Sequence, residues 1–222
     1  MKVAILGTAP GFERAFDGDY DEYWGLNDAY QKFTPAQLHR CTRWFEVHGD
    51  TALTRSRRAS DHWDSLAALA IPTYAFFDLP RGIKALTFPL EAAIAAGKDY
   101  FACTFAYQIG LALSEGVAAL GMYGTPLCGT PREALVERPC VEWWLGLATG
   151  RGVRVCVDHD QSIGLGRHPY RYAMDDQEER RASFDYAWTV IESGVGWLIH
   201  ETMRLAAAAT ETAPATDVAQ IS

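Results

Sequence analysis

The stretch KVAILGTAPG, residues 2–11, decides the fold class of this chain. It begins as a continuous apolar run from Val3 to Leu6, which stops at Gly7. A short apolar run of this kind is typical of a strand that is covered on both faces of a parallel sheet. The turn that follows predicts a strand-to-helix connection, in which Gly7 and Gly11 let the backbone approach an anion.

Five further apolar runs follow at the intervals expected of strands, at 23–26, 43–47, 73–77, 118–123 and 153–157. Helical patterns lie between them, from Ser60 to Ala70, from Thr104 to Glu115 and from Val141 to Ala148. Strands that alternate with helices predict right-handed βαβ units and a parallel sheet. We therefore expect an α/β fold, a Rossmann-like three-layer sandwich with a mostly parallel sheet of about six strands.

The end of the chain predicts one long helix and a tail. From Glu178 to about Ala209, apolar residues recur at spacings of three and four, which is the pattern of an amphipathic helix. Residues 206–222 contain no aromatic and no basic residue, so they bury too little surface to become ordered. We expect a single domain over 1–205 and a disordered tail over 206–222, with Trp188 and Trp197 offering a homodimer surface.

Composition and charge exclude several classes of protein. A hydrophobic content of 49% with 12% aromatic residues excludes a disordered or collagen-like chain. The net charge of −8 provides no positive field, so duplex nucleic acid is not an expected partner. The chain has no signal peptide and no apolar run of about 18 residues, so we expect a cytoplasmic protein without a membrane partner. Five cysteines without a CxxC pair, and histidines without HxH or HxxxH spacing, predict neither disulfides nor a metal site.

Ligands of open parallel sheets bind beyond the carboxyl ends of the strands, so the residues there are candidates for a site. Thr8 adds a hydroxyl between the two glycines, and Asn27 follows the second strand with an amide that both donates and accepts. Thr104 opens a predicted helix, where unpaired N–H groups attract anions. The alternative interpretations are structural: residues 7–11 as a tight turn, and Asn27, Asp28 and Thr104 as helix caps.

Two histidines are candidates for catalysis. His159 lies between Asp158 and Asp160, an arrangement typical of a general base, and His168 lies in a polar, aromatic loop. No functional prediction is attached to His39, His62 and His200.

Charged residues elsewhere are candidates for substrate binding. Arg138 and Glu142 open the helix that also carries two tryptophans, although tryptophans on a helix face belong more often to the core. The segment after His48 contains Arg55, Arg57 and Arg58, which fit either an anion clamp or a solvated loop.

The order of these strand ends resembles a known family. GTAPG follows the first strand, GLND follows the second, CTFAY opens a helix and ALGMYGTPL ends a strand. In order and spacing, residues 3–165 resemble the sialyltransferase-like and motility-associated-factor-like nucleotide-binding superfamily. Some members transfer sugars from CMP-activated donors and others transfer pyrophosphate. The resemblance implies a pocket for a nucleotide or nucleotide sugar lined by Gly7, Thr8, Gly11, Asn27, Thr104 and Ser162.

Two departures from the family pattern bear on activity. The first loop has Ala-Pro-Gly where the family has Gly-Pro-Ser, and Pro126 stands where the family has Asp. If that Asp holds metal or donor in the family, sugar transfer by the family mechanism is in doubt for this chain. The chain also resembles small uncharacterised bacteriophage proteins that share WGLNDAY and RPC-x-E-x-W-L-G, and this likeness brings no known activity.

Three functions follow as hypotheses. The first is a transferase that binds a nucleotide or nucleotide-sugar donor at the strand ends, with His159 or His168 taking a proton from an acceptor hydroxyl. The second is a non-catalytic, phage-type protein that binds or sequesters a nucleotide, which the missing Asp favours. The third is a phage enzyme that modifies nucleotides or DNA bases. The base, the sugar and the acceptor stay open, and a phage protein would act in the cytoplasm of its bacterial host.

Overall fold

The computed structural model describes residues 1–49, 58–83, 85–127 and 130–157, all of which lie in the unit Met1–Pro169. These residues form the strands β1 Lys2–Leu6, β2 Glu22–Leu26, β3 Arg43–Phe45, β4 Thr73–Ala75, β5 Ala85–Thr87, β6 Ala119–Tyr123 and β7 Arg154–Val157. They build one seven-stranded sheet in the order β5-β4-β3-β2-β1-β6-β7. Every adjacent pair is parallel.

The α-helices of the described residues are α1 Pro35–Arg40, α2 His62–Ala68, α3 Leu90–Ala95, α4 Thr104–Ser114 and α5 Arg138–Gly150. A π-helix, Glu133–Glu137, runs directly into α5, and 3-10 helices span Phe12–Asp17, Ala29–Gln31 and Pro80–Gly82. Local chemistry explains where α1 begins. Thr34 and Gln37 form a capping box, and Pro35 has the fixed φ that suits a first helical position.

The prediction of an α/β fold with a parallel sheet is confirmed. All six predicted strands are present, and β5 is an additional edge strand that was not predicted, because three residues give too short a pattern to detect. Thr104 is the first residue of α4 rather than its cap, and the N-cap position belongs to Cys103, which makes no side-chain cap bond. The predicted C-terminal helix and tail lie outside the described residues.

Strand β1 packs against hydrophobic side chains on both of its faces. Val3 and Ile5 belong to the hydrophobic cluster that α4 and α5 cover, whereas Ala4 and Leu6 belong to a second cluster on the opposite face. All four side chains are fully buried. Burial of one large aliphatic side chain contributes about 1.5–3 kcal/mol to folding, so this continuous apolar run favours an interior position for β1 in the sheet.

The order in which strands are added to the sheet reverses at β1. From β1 the chain builds β2 to β5 on one side and then crosses to the other side for β6 and β7. This reversal is a topological switch point, and ligands of open α/β sheets bind beside it, beyond the carboxyl ends of the strands. We call that side of the sheet the carboxyl edge.

Candidate active site at the carboxyl edge

At the switch point, backbone contacts join the loop after β1 to the loop after β6. The amide of Gly7 donates to the Tyr123 carbonyl over 2.8 Å, and the amide of Ala9 donates to the Gly124 carbonyl over 3.1 Å. A Cβ on Gly7 would overlap the Gly124 carbonyl oxygen, and Gly124 itself has φ +65°. Both positions therefore require glycine for close packing of two loops.

Some backbone amides in the rest of this loop already donate hydrogen bonds within the protein. Gly11 has φ 99°, and its amide donates to the Glu13 carboxylate over 2.9 Å. With Ala9 and Gly11 both bonded inside the protein, two of the amides that could cradle an anion are already used. Thr8 is exposed, so its hydroxyl is accessible from solvent.

A buried carboxylate lies at the end of β3. Glu46 follows β3 directly and is fully buried. Its Oε1 accepts from the backbone amide and the ring Nδ1 of His48, over 3.1 and 3.0 Å, and its Oε2 accepts from Nε2 of His62 over 3.1 Å. Burial alone would raise the pKa of Glu46, but the two histidine hydrogen bonds and the charge of Arg58 lower it to about 2. Glu46 is therefore ionised throughout the physiological range.

Glu46 and Asn27 orient the imidazole of His48. Nδ1 of His48 lies 3.0 Å from Glu46 Oε1 and 3.2 Å from Asn27 Oδ1. Two oxygen acceptors favour the tautomer with its proton on Nδ1, which leaves Nε2 as the basic nitrogen. Nε2 has no hydrogen-bond partner among the described residues, and the side chain is 48% exposed. A carboxylate-held imidazole with an accessible Nε2 is the arrangement of a general base.

The backbone of Asn27 explains how its side chain reaches His48. Asn27 has φ 48°, a left-handed conformation that asparagine tolerates better than most residues. Its amide donates to the Phe45 carbonyl over 2.9 Å, and its carbonyl accepts from Trp44 Nε1 over 3.0 Å. The residue is thereby fixed to β3. The predicted cap by its neighbour Asp28 is absent from this structure, since that side chain makes no cap bond to the following 3-10 helix.

His62 extends the network into the core. It is almost fully buried at the start of α2, and its Nδ1 accepts from the Tyr30 hydroxyl over 3.0 Å while its Nε2 donates to Glu46. The chain of bonds therefore runs from Tyr30 through His62 and Glu46 to His48. Sequence reasoning assigned no function to His62, because its partner is 16 residues away and no local motif marks it.

Arg58 supplies the positive charge of this cluster. Its Nη1 donates to Asp28 over 3.0 Å, and its Nη2 lies 3.6 Å from Glu46. Nη2 also lies 3.4 Å from His48 Nδ1, but two donors face each other there, so this contact is not a hydrogen bond in the tautomer above. The arginine that the sequence offers as an anion clamp is thus paired with carboxylates of the protein itself.

Helix α4 packs on the face of the sheet that carries Val3 and Ile5. Thr104 is nearly buried, and its hydroxyl has no partner within the described ranges. One turn further on, the fully buried Gln108 donates to the carbonyl of Gly25 in β2 over 3.3 Å. This bond ties α4 to the strand that ends beside Asn27. The side-chain oxygens of Gln108 and Thr125 are buried without a partner among the described residues.

Glu137, the last residue of the π-helix, is linked through Arg132 to the residues that lead into α4. It accepts from Arg132 Nε over 2.9 Å, and Arg132 Nη2 also donates to the Ala102 carbonyl, two residues before Thr104, over 3.2 Å. Burial raises the pKa of Glu137 against the opposing effects of Arg132 and His48.

The remaining predicted site residues fall into two groups. Arg138 Nε and Glu142 Oε1 pair over 2.8 Å, one turn apart on α5, and their role in substrate binding stays a prediction. His159, Ser162 and His168 lie outside the described residues.

Searches of the described residues for two other features are negative. They contain no group of three or more His, Cys, Asp or Glu side chains that could hold a metal ion. None of their helices combines the length and the apolar character needed to cross a membrane.

Comparisons of the chain with protein-family models, with curated proteins and with solved structures find no significant match. The choice among the predicted functions therefore depends on the geometry of the carboxyl edge.

Proposed function

We propose that this chain is a nucleotide- or nucleotide-sugar-dependent transferase in which His48 is the general base. One observation carries the proposal: the Glu46 carboxylate holds Nδ1 of His48 and leaves Nε2 accessible at the carboxyl edge of a parallel sheet. Ligands of such folds bind at this edge, close to the switch point. His159 and His168, the candidates for this base from sequence, lie outside the described residues, and that role stays a prediction for them.

In the proposed step, an acceptor hydroxyl binds with its proton directed at Nε2 of His48. Its oxygen forms the new bond to the transferred sugar carbon, and its proton moves to Nε2. The bond from that carbon to the departing phosphate oxygen breaks with its electron pair. The ionised Glu46 stabilises the imidazolium that results. General base catalysis of this kind contributes about 10²–10⁴-fold to a rate.

The donor phosphates are assigned to the first turn of α4. The unpaired N–H groups of a helix N-terminus attract anions, and the Thr104 hydroxyl is a further donor there. Asn27 and Thr8 end the two neighbouring strands and are available for the ribose or the base. These residues belong to the set that the family resemblance implies, and they support a nucleotide rather than an unrelated ligand.

The test is release of nucleotide from CMP-, UDP-, GDP- and ADP-sugars, with and without magnesium, using water as the simplest acceptor. For an accepted donor, His48→Ala should lower kcat by about 10²-fold or more. The matched control is His39→Ala, because His39 is exposed on α1 and takes no part in the hydrogen bonds that join Glu46, His48 and His62. Equal rates for the two variants, or no turnover of any donor by the wild-type protein, would contradict the proposal.

Binding without turnover is the second candidate function. Pro126 follows β6 where the resembling family has Asp, and this substitution favours a protein that only binds. A nucleotide at 100 times its Kd would stabilise the folded state by about 2.7 kcal/mol. A thermal shift with a nucleotide but no release of product would favour this candidate.

A further inference from the structure

We propose that His62 is a positioning residue for the general base: it holds one oxygen of Glu46 so that the other oxygen stays directed at His48. The inference rests on the proposed function, because a positioning residue needs a catalytic group to act upon. The His62 side chain is only 1% exposed, so it does not meet a substrate. Its hydrogen bonds lead to Tyr30 and to Glu46, and its effect on the reaction passes through Glu46.

The two carboxylate oxygens of Glu46 face different histidines. Oε1 accepts from the backbone amide and from Nδ1 of His48, over 3.1 and 3.0 Å. Oε2 accepts from Nε2 of His62 over 3.1 Å. Nη2 of Arg58 also approaches Oε2, but its distance of 3.6 Å is longer than a hydrogen bond. Among the described residues, His62 therefore gives Oε2 its one hydrogen bond.

The burial of Glu46 makes this bond important. Its side chain is fully buried, so bulk water does not supply another donor when His62 is lost. A buried carboxylate oxygen without a hydrogen bond is unfavourable, and the group then turns toward Arg58 or takes up a proton. Either change weakens the bond from Oε1 that fixes Nδ1 of His48. His62 thus controls the tautomer of His48 through the carboxylate that they share.

The ring of His62 is itself held in one orientation by the fold. It stands at the first residue of α2, where its Nδ1 accepts from the Tyr30 hydroxyl over 3.0 Å. The Tyr30 ring stacks on it with centroids 5.7 Å apart, and the Trp63 ring packs edge-on at 4.7 Å. Because an ionised carboxylate only accepts, Nε2 of His62 carries the proton and Nδ1 is the acceptor. Both ring nitrogens are therefore used.

A double-mutant cycle tests whether His62 acts through Glu46, using hydrolysis of the nucleotide sugar that wild type accepts. His62→Leu removes the donor, whereas His62→Gln keeps an N–H group near the position of Nε2. We expect His62→Leu to lower kcat by about tenfold with KM changed by less than about threefold, and His62→Gln to keep most of the rate. In the Glu46→Gln background, His62→Leu should change kcat by less than about threefold, because the carboxylate that it orients is gone.

Leu66→Ala is the matched control for a purely structural effect. Leu66 is buried one turn after His62 on α2, so its truncation loosens the packing of the helix without removing a hydrogen bond to Glu46. This variant should have a lower Tm but keep wild-type kcat below its unfolding transition. Equal kcat losses in Leu66→Ala and His62→Leu would overturn the inference, and so would a loss from His62→Leu of the same size in both Glu46 backgrounds.

Histidine NMR gives a readout that does not depend on turnover. Long-range ¹H–¹⁵N correlations should show a mixture of His48 tautomers in His62→Leu, whereas His62→Gln and Leu66→Ala should keep the proton on Nδ1. An unchanged His48 tautomer in His62→Leu would overturn the inference even with transferase activity present. A wild-type protein that turns over no donor would overturn the proposed function, and the same spectra would still decide whether His62 positions His48.

Discussion

The carboxyl edge of the sheet has two halves that are built differently. At the β1–β6 switch point, backbone amides and carbonyls of two loops bind each other, and Gly7 and Gly124 permit their close approach. At the ends of β2 and β3, the contacts are made by charged and polar side chains around the buried Glu46. The first half is closely packed backbone, whereas the second half is a cluster of titratable side chains.

Glycines after the first strand therefore do not by themselves indicate a phosphate-binding loop. In this protein the N–H groups of Gly7, Ala9 and Gly11 are bonded to other atoms of the protein. A half-exposed imidazole held by an ionised carboxylate is a more specific sign of chemistry. The predictions below test this division between a packing half and a chemical half.

The largest effect on stability is expected from Glu46→Ala. The change leaves Arg58 and two histidines without their buried acceptor, and breaking a buried pair costs about 3–5 kcal/mol. The free energy of unfolding from urea titration should fall by that amount. Glu91→Ala, at an exposed position of α3, should change it by less than about 0.5 kcal/mol. A loss below about 1 kcal/mol for Glu46→Ala would show that the cluster is not coupled as described.

The ionisation of Glu46 should also make the free energy of unfolding depend on pH. Its pKa is about 2 in the folded state against an ordinary value of 4.5, so the folded state favours the ionised form. This contribution is complete above pH 4.5 and is lost as pH falls towards 2, for a total of about 3 kcal/mol. Urea midpoints measured across this window should fall more steeply for wild type than for Glu46→Gln. Parallel curves for the two proteins would contradict the low pKa.

Gly7→Ala tests the packing half. The added Cβ overlaps the Gly124 carbonyl, so the loop must shift, and overpacking of this kind costs about 1–3 kcal/mol. The matched control is Gly146→Ala on α5, where no atom lies within 4 Å of the added Cβ and alanine favours the helix. In thermal unfolding, Gly7→Ala should lower Tm and Gly146→Ala should raise it. Similar Tm values would mean that the first loop is looser than the contacts indicate.

The smallest effect is expected from Tyr30→Phe. Removal of one hydroxyl leaves Nδ1 of His62 without its donor, which costs about 1 kcal/mol. Tyr100→Phe, at an exposed position, should leave the free energy of unfolding unchanged. If Tyr30→Phe also had no effect, the buried network would end at His62.

The fold could be predicted because periodicity and strand-end residues carry its signal. The continuous run from Val3 to Leu6 predicts a strand covered on both faces, and β1 is such a strand. Asn27 was predicted as a site residue from its place after β2, and it does contact His48. Sequence reasoning assigned no role to Glu46, His48 or His62. The contact between His62 and Glu46 spans 16 residues, and no local pattern records it.

The most direct test of the account is the tautomer of His48, read from long-range ¹H–¹⁵N NMR correlations of the histidine rings at neutral pH. The account predicts a proton fixed on Nδ1 in wild type, with Nε2 unprotonated, and loss of this preference in Glu46→Ala. A proton on Nε2 in wild type, or equal populations of both tautomers, would contradict the claim that Glu46 prepares His48 as a base.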